Sequence, residues 1–257
     1  MEIYYQNIRG IRTKLQKLRE SAALYSYDIY FLTETWLDGN IKSAELGLDN
    51  HKIHRCDRSS STSTKKKGGG VLIAVDSKLP SRKINTKNND IEQLFVLTNT
   101  PSGKLILGCV YFPPTSDSLM YQKHCEDIEL LFTKYPEAKF ILTGDYNLPN
   151  LEWKGTEDPI ILHEKENDAA RVILDMLNFL NLNQHNIISN TSNRILDLIM
   201  SNIHILNLME SIDPILPLDS YHPALHISVE IESPVKNNPS LPSLNFRKAD
   251  YDVICNH

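Results

Sequence analysis

Short apolar runs recur along the chain, and their lengths suit strands. "IYYQN", "DIYFLTE", "GVLIAV", "EQLFVLTN", "KLILGCVYF", "KFILTGD", "RILDLIMSN" and "PALHISVEI" are rich in β-branched and aromatic residues and bounded by turn formers. Three other stretches space their apolar residues as helices do. In "IRTKLQKLRESAALYS", Ile11, Leu15, Leu18, Ala22 and Tyr25 fall on one face, and "SLMYQKHCEDIELLFTKYP" and "ENDAARVILDMLNFLNL" show much the same spacing. Strands and helices mix without strict alternation. That predicts an α/β layered sandwich with mixed sheets, not a parallel doubly wound sheet.

Two stretches break the pattern. "RCDRSSSTSTKKKGGG" has low complexity and predicts a mobile surface loop. "ESPVKNNPSLPSLNFRKADYD" is rich in proline and asparagine and predicts a linker, so the domain is expected over 1–232 and the linker over 233–257. Composition then narrows the class. With 41% apolar and 23% charged residues the chain is ordinary for a globular protein, and a net charge of −5 leaves no global basic footprint, so nucleic-acid affinity has to be local. Cys56, Cys109, Cys125 and Cys255 form no C-x-x-C pair, which argues against a zinc site and for reduced thiols in a nuclear or cytoplasmic, intracellular setting. No basic-then-apolar leader opens the sequence, and runs such as "VLIAV" are far too short to span a bilayer, so no membrane association is expected.

Chemistry-bearing residues collect where the expected strands end. Asn7 ends the first, Glu34 ends "IYFLTE", Tyr111 ends "LGCVY", Asp145 and Asn147 follow "FILTG", Asp197 lies inside "RILDLIM", and His222 opens the last. Each has a plain alternative. The asparagines are good turn formers, "TETWLDGN" could start a helix capped by Thr33 or Thr35, and Asp197, between Leu196 and Leu198, could face water. As a set they match what phosphodiester hydrolysis needs: oxygen ligands for a hard cation, a base for water, and donors for the phosphate oxygens. Glu34 offers a metal carboxylate supported by Asn7. His222 offers the base, with Asp197 to orient it. Asp145 and Asn147 suit a pair that holds water and phosphate, Tyr111 can donate to phosphate, and Gly144 is expected to let the backbone turn into the pocket. "KKKGGG" lacks the P-loop pattern. Lys65, Lys66 and Lys67, with Arg55 and Arg58, suit a basic lip on a DNA backbone or simply a solvated loop; Arg9 suits a phosphate contact, and Arg194 sits on a loop that could enter a DNA groove.

In order and spacing, "QNIRG", "LTETWL", "VYFPP", "LTGDYNLP", "RILDLIMSN" and "SYHPAL" resemble the endonuclease/exonuclease/phosphatase superfamily over about residues 2–232. "NIRGIRTKLQKL", "LNLNQHN" and "LNFRKADYD" resemble its branch in non-LTR (LINE, jockey-like) retrotransposons. The resemblance implies a four-layer α/β sandwich of two packed mixed β-sheets flanked by helices. It implies Mg²⁺-dependent nicking of DNA, with Mn²⁺ as the alternative ion, leaving a 3′-hydroxyl that primes a reverse transcriptase. It also assigns the metal to Glu34 and Asn7, phosphate contact to Tyr111, nucleophile positioning to Asp145 and Asn147, and the catalytic histidine and its partner to His222 and Asp197. The chain departs from the family where Tyr221 precedes His222, since the family carries aspartate there, and weakened activity is the expectation. No polymerase signature follows, so the reverse transcriptase expected in a parent element is absent and a fragment, truncated copy or domesticated gene is expected. The alternatives are another phosphodiesterase or phosphatase of the superfamily and a catalytically impaired nucleic-acid-binding remnant.

Overall fold

A computed structural model describes residues 1–65, 67–154, 158–162, 168–203 and 206–230. In chain order the elements are β1 (Glu2–Asn7), a 3-10 turn (Arg12–Lys14), α1 (Leu15–Leu24), β2 (Ile29–Thr33), a second 3-10 turn (Ser43–Leu46), β3 (His51–Cys56), β4 (Val71–Asp76), β5 (Ser81–Ile84), β6 (Glu92–Thr100), β7 (Gly103–Tyr111), α2 (Ser118–Lys134), β8 (Lys139–Asp145), β9 (Leu151–Lys154), β10 (Asp158–Leu162), α3 (Asp168–Leu180), β11 (Asn183–Gln184), β12 (Asp197–Ser201), β13 (Leu206–Glu210) and β14 (Leu225–Val229). Two six-stranded sheets result, in the orders β13-β14-β1-β2-β4-β3 and β11-β12-β8-β7-β6-β5, with β9 and β10 as a separate pair. Both sheets are mixed: β1–β2 and β7–β8 are parallel, and the other pairings are antiparallel.

Strand periodicity sorts the side chains into layers. Ile3 and Tyr5 of β1 face the second sheet, joining Phe31, Ile73, Val96, Leu107, Ile141 and Ile199 in the central core. Tyr4 faces the other way, onto α1 and its neighbours, with Leu18, Tyr30, Leu32 and Leu72. The outer face of the second sheet, through Ile106, Val110, Phe140 and Leu142, packs under α2 and α3 with Ile128, Leu131, Ile173 and Met176. Helix, sheet, sheet, helix: the four-layer sandwich expected from the motifs is the fold.

The eight strand-like runs all form strands. The six others (β3, β5, β9, β10, β11, β13) are short or polar-alternating pieces of two to six residues. All five apolar residues expected on one helix face do pack in one cluster, but the helix is shorter than its pattern, because the chain first makes the 3-10 turn. "TETWLDGN" starts no helix. Thr35 and Trp36 instead donate their backbone N–H groups to Gly70 and Gly69. Nor does Gly144 turn the backbone: it lies within β8, and a Cβ there would stand 2.3 Å from the carbonyl oxygen of Val110, so glycine permits close approach of β7. The left-handed conformation that turns the chain belongs to Asn147, at φ 47°. The boundary drawn at 232 and the linker over 233–257 lie outside the described residues.

Candidate active site

Chain direction explains why the candidate residues meet. β1 and β2 run parallel with Asn7 beside Thr33, so Glu34 follows at the same sheet end. β7 and β8 run parallel with Tyr111 beside Asp145. β12 runs antiparallel to β8, which puts its first residue, Asp197, directly opposite Asp145. His222 arrives on a turn three residues before β14, in an isolated bridge with Asp219. It was expected to open that strand; the turn supplies it instead. Asp197 likewise heads its strand and is buried, so the water-facing alternative fails.

The core of the site is a chain of hydrogen bonds. His222 Nδ1 pairs with Asp197 Oδ2 at 2.9 Å, and Tyr5 Oη donates to Asp197 Oδ1 at 2.5 Å. His222 Nε2 lies 3.6 Å from Asp145 Oδ2, which accepts from Asn7 Nδ2 at 3.0 Å. Asp145 Oδ1 accepts the backbone N–H of Asn147 at 3.2 Å. Burial alone would push the His222 imidazolium down. The charge and hydrogen bond of Asp197, then the charges of Asp145 and Asp219, outweigh it and lift the pKa to about 9. Asp145 is pushed well above the carboxylate range by burial and by the charge of Asp197 opposite it, with His222 opposing.

Beside this chain stands Glu34, in left-handed conformation at φ 55°. Its Oε2 accepts from the backbone N–H of Gly69 at 3.1 Å and from the Trp36 indole. The glycine run is therefore a cradle: Gly68, Gly69 and Gly70 all have positive φ, and a Cβ on Gly69 would stand 2.0 Å from Glu92 Oε2. Glu92 accepts from Gly70 N–H at 2.7 Å and is paired with buried Arg58 at 2.5 Å. Burial first, then the Glu34 charge, raise the Tyr111 pKa far above the phenol range, so its hydroxyl stays a proton donor.

The donor set can be tested against a divalent cation. Asp145, Asp197 and His222 offer ligand atoms within 4.8 Å of one another. Both Asp197 oxygens and His222 Nδ1 are already committed to each other and to Tyr5, however, so ligation there would dismantle the hydrogen-bond chain. Glu34 is only half-buried, and Asn7 adds an amide oxygen that accepts the Arg9 backbone N–H at 3.2 Å. A carboxylate and an amide carbonyl oxygen are hard oxygen donors of the kind a divalent cation takes.

The other expected residues divide. The amide of Asn147 donates to the Phe112 carbonyl at 2.7 Å and keeps a second N–H hydrogen. Arg9 is at the site, paired with Asp219. Exposed Arg194 lines a cleft of about 580 Å³ with Trp153 and Asn150 among others, on a loop tied to the His222 turn by Thr191 Oγ1 donating to the Ser220 carbonyl at 2.9 Å. Lys65 and Lys67 are exposed on the loop, and Lys66 lies outside the described residues. Arg55 and Arg58 form no lip: Arg55 is turned onto Asp57 and the carbonyls of Asp38 and Ile41, and Arg58 onto Glu92. Sequence reasoning missed Tyr5, which lies within an apolar run like any core residue, and gave the glycine run no role beyond a loop.

Comparisons with known proteins bear on the fold. The profile of a family described as endonuclease-reverse transcriptase matches residues 105–226. No curated protein matches the sequence. Among solved structures, the endonuclease domain of TRAS1, a telomere-specific non-LTR retrotransposon, is similar at 13% identity and TM-score 0.63, over 90% of this chain and 99% of that one. The AP endonuclease LMAP from Leishmania major is similar at 15% identity and TM-score 0.64, over 88% and 86%. A 3′-5′ exonuclease from Neisseria meningitidis is similar at 15% identity and TM-score 0.63, over 90% and 100%. The resemblance read from the motifs is borne out, and the chain carries the fold of these nucleases. Among the described residues no helix is long and apolar enough to cross a membrane.

Proposed function

We propose that this chain, with the nuclease and phosphatase fold of the endonuclease/exonuclease/phosphatase superfamily, is a divalent-metal-dependent DNA endonuclease. In this reading it hydrolyses one phosphodiester bond and leaves a 3′-hydroxyl. The observation that carries the reading is the chain Tyr5–Asp197–His222, which leaves Nε2 of a buried histidine facing Asp145 beside Glu34. Asp197 fixes the tautomer and stabilises the imidazolium as it forms. A water hydrogen-bonded to Asp145 loses its proton to Nε2 and attacks phosphorus. The P–O3′ bond breaks and the departing oxygen takes a proton from solvent, giving a 5′-phosphate and the 3′-hydroxyl. Glu34, with Asn7, would hold the cation, which supplies charge stabilisation for the phosphate oxygens. Tyr111 and the free N–H of Asn147 donate to those oxygens, and Arg9 with Lys65 and Lys67 meets the backbone on either side. Supercoiled plasmid incubated with Mg²⁺, Mn²⁺ or EDTA tests this. Nicked circles that need the cation, and that a polymerase extends directly, are expected. Intact plasmid under every cation would defeat the proposal.

A further inference from the structure

Around His222 the side chains close into a ring. Nε2 faces Asp145; Asp145 accepts from Asn7; Asn7 Oδ1 accepts the backbone N–H of Arg9; and the Arg9 guanidinium pairs with Asp219. Asp219 returns to the start, because its carbonyl accepts the backbone N–H of His222 at 3.2 Å across their bridge. Its Oδ1 also accepts the Tyr221 N–H at 2.8 Å, while the Tyr221 side chain points outward at 51% exposure.

Three carboxylates act on His222: Asp197, Asp145 and Asp219. The first two are buried and fixed by hydrogen bonds from the core. Asp219 alone of the three shares its charge with a cation on a long side chain, and that side chain is 52% exposed. Arg9 also lines a second cleft with Trp36, Arg58 and Gly68, and its guanidinium has donors to spare there.

We propose that Asp219 is a positioning residue for His222, and that Arg9 masks its charge until a substrate phosphate takes the guanidinium away. A phosphate accepts two parallel N–H bonds from arginine, a geometry that competes well with the Asp219 contact. Once Arg9 turns to the phosphate, the unpaired Asp219 carboxylate acts on the imidazole when the proton arrives. No covalent bond changes; one ion pair is exchanged for another. The inference rests on the endonuclease reading of the same site.

Steady-state nicking of a short duplex separates this from a merely structural pair. Asp219→Asn keeps the acceptor for the Tyr221 N–H and removes the charge. Above about pH 9, where His222 is neutral in both proteins, it should lower kcat several-fold and move the rise of the pH–rate profile to lower pH, and it should also lower KM, because Arg9 is freed for substrate. Arg9→Gln should raise KM while kcat holds, because Asp219 is unmasked. Unchanged kcat in Asp219→Asn, or a KM that rises, overturns the proposal. If the parent protein does not nick, only the endonuclease reading fails, and the exchange is read without turnover. Inorganic phosphate, followed on the Arg9 side-chain ¹⁵Nε resonance, should then bind Asp219→Asn several-fold more tightly than the parent. Equal affinities defeat the exchange.

Discussion

Among the described residues three histidines are buried, and the pKa values of two of them, His124 and His222, have moved in opposite directions. His124, on α2, sits in the core between the second sheet and the helices, bonded through Nδ1 to Gln93 Oε1 at 2.7 Å and through Nε2 to the Tyr146 hydroxyl at 2.9 Å. Its partners are neutral, so burial alone decides, and the pKa falls to about 3. His222 is almost as deeply placed, but faces Asp197 and Asp145, and its pKa rises to about 9. The same ring is a core filler in one place and a proton acceptor in the other, and the charge of its neighbours makes the difference.

The widest separation between the two comes from deleting each ring. His222→Ala should lower nicking by roughly 10²–10⁴-fold, the range for a general base. His124→Ala should leave kcat near the parent value and lower Tm, since Gln93 and Tyr146 lose their partner at about 1–3 kcal/mol per unsatisfied group. Plasmid nicking and thermal melts on both variants check this, and equal activity losses would erase the contrast.

Next come the partners. Asp197→Asn should cost about 10²-fold or more in single-turnover nicking, because the imidazolium loses its stabilising charge. Tyr5→Phe should cost less, since it removes one hydrogen bond to Asp197 and leaves the carboxylate. If Tyr5→Phe proves the more damaging, Tyr5 has a part in the chemistry beyond holding Asp197.

The pH profile sharpens the contrast further. A base must be neutral to accept a proton, so the cleavage rate should climb with pH towards about 9, the value the carboxylates impose on His222. A rate that falls over pH 7–9 would make His222 an acid in the reaction.

The smallest effect is on stability, and its two limbs have opposite signs. His124 has a folded pKa of about 3, below its unfolded value, so the unfolded chain takes the proton first. Stability therefore falls as pH drops below about 6.5, by about 1.4 kcal/mol per pH unit from this group. His54, lowered to about 4, adds to that limb. The raised pKa of His222 does the reverse: its stabilisation is complete below about 6.5 and is lost as pH rises through about 9. Melts across pH should show His124→Gln flattening the acid limb and His222→Gln the alkaline one.

What could be read in advance follows from this contrast. Glu34, Asp145 and His222 stood out because they interrupt apolar runs at strand ends, where a polar residue needs a reason. His124 offered no such signal: it lies on a helical pattern, and nothing local says whether it meets Gln93 or a carboxylate. Tyr5 was hidden for the same reason, since a tyrosine in a strand fills a core until its hydroxyl finds a partner 192 positions away. The layers were legible because eight runs of one period and three of another leave few ways to stack. The short strands were not, because β11 and β5 take their conformation from neighbours already in place. The glycine run looked like slack because its purpose, a cradle for Glu34 and Glu92, lies on other strands.

In the first sheet β1 lies between β2 and β14, and the N-terminal amine of Met1 donates to the Val229 carbonyl at 2.8 Å. The first and last described strands are therefore partners, and the site draws Tyr5 and Asn7 from one and His222 from the approach to the other. On the proposed reading, the base is therefore in place only once β14 has paired with β1, so closing the first sheet and completing the site are one event.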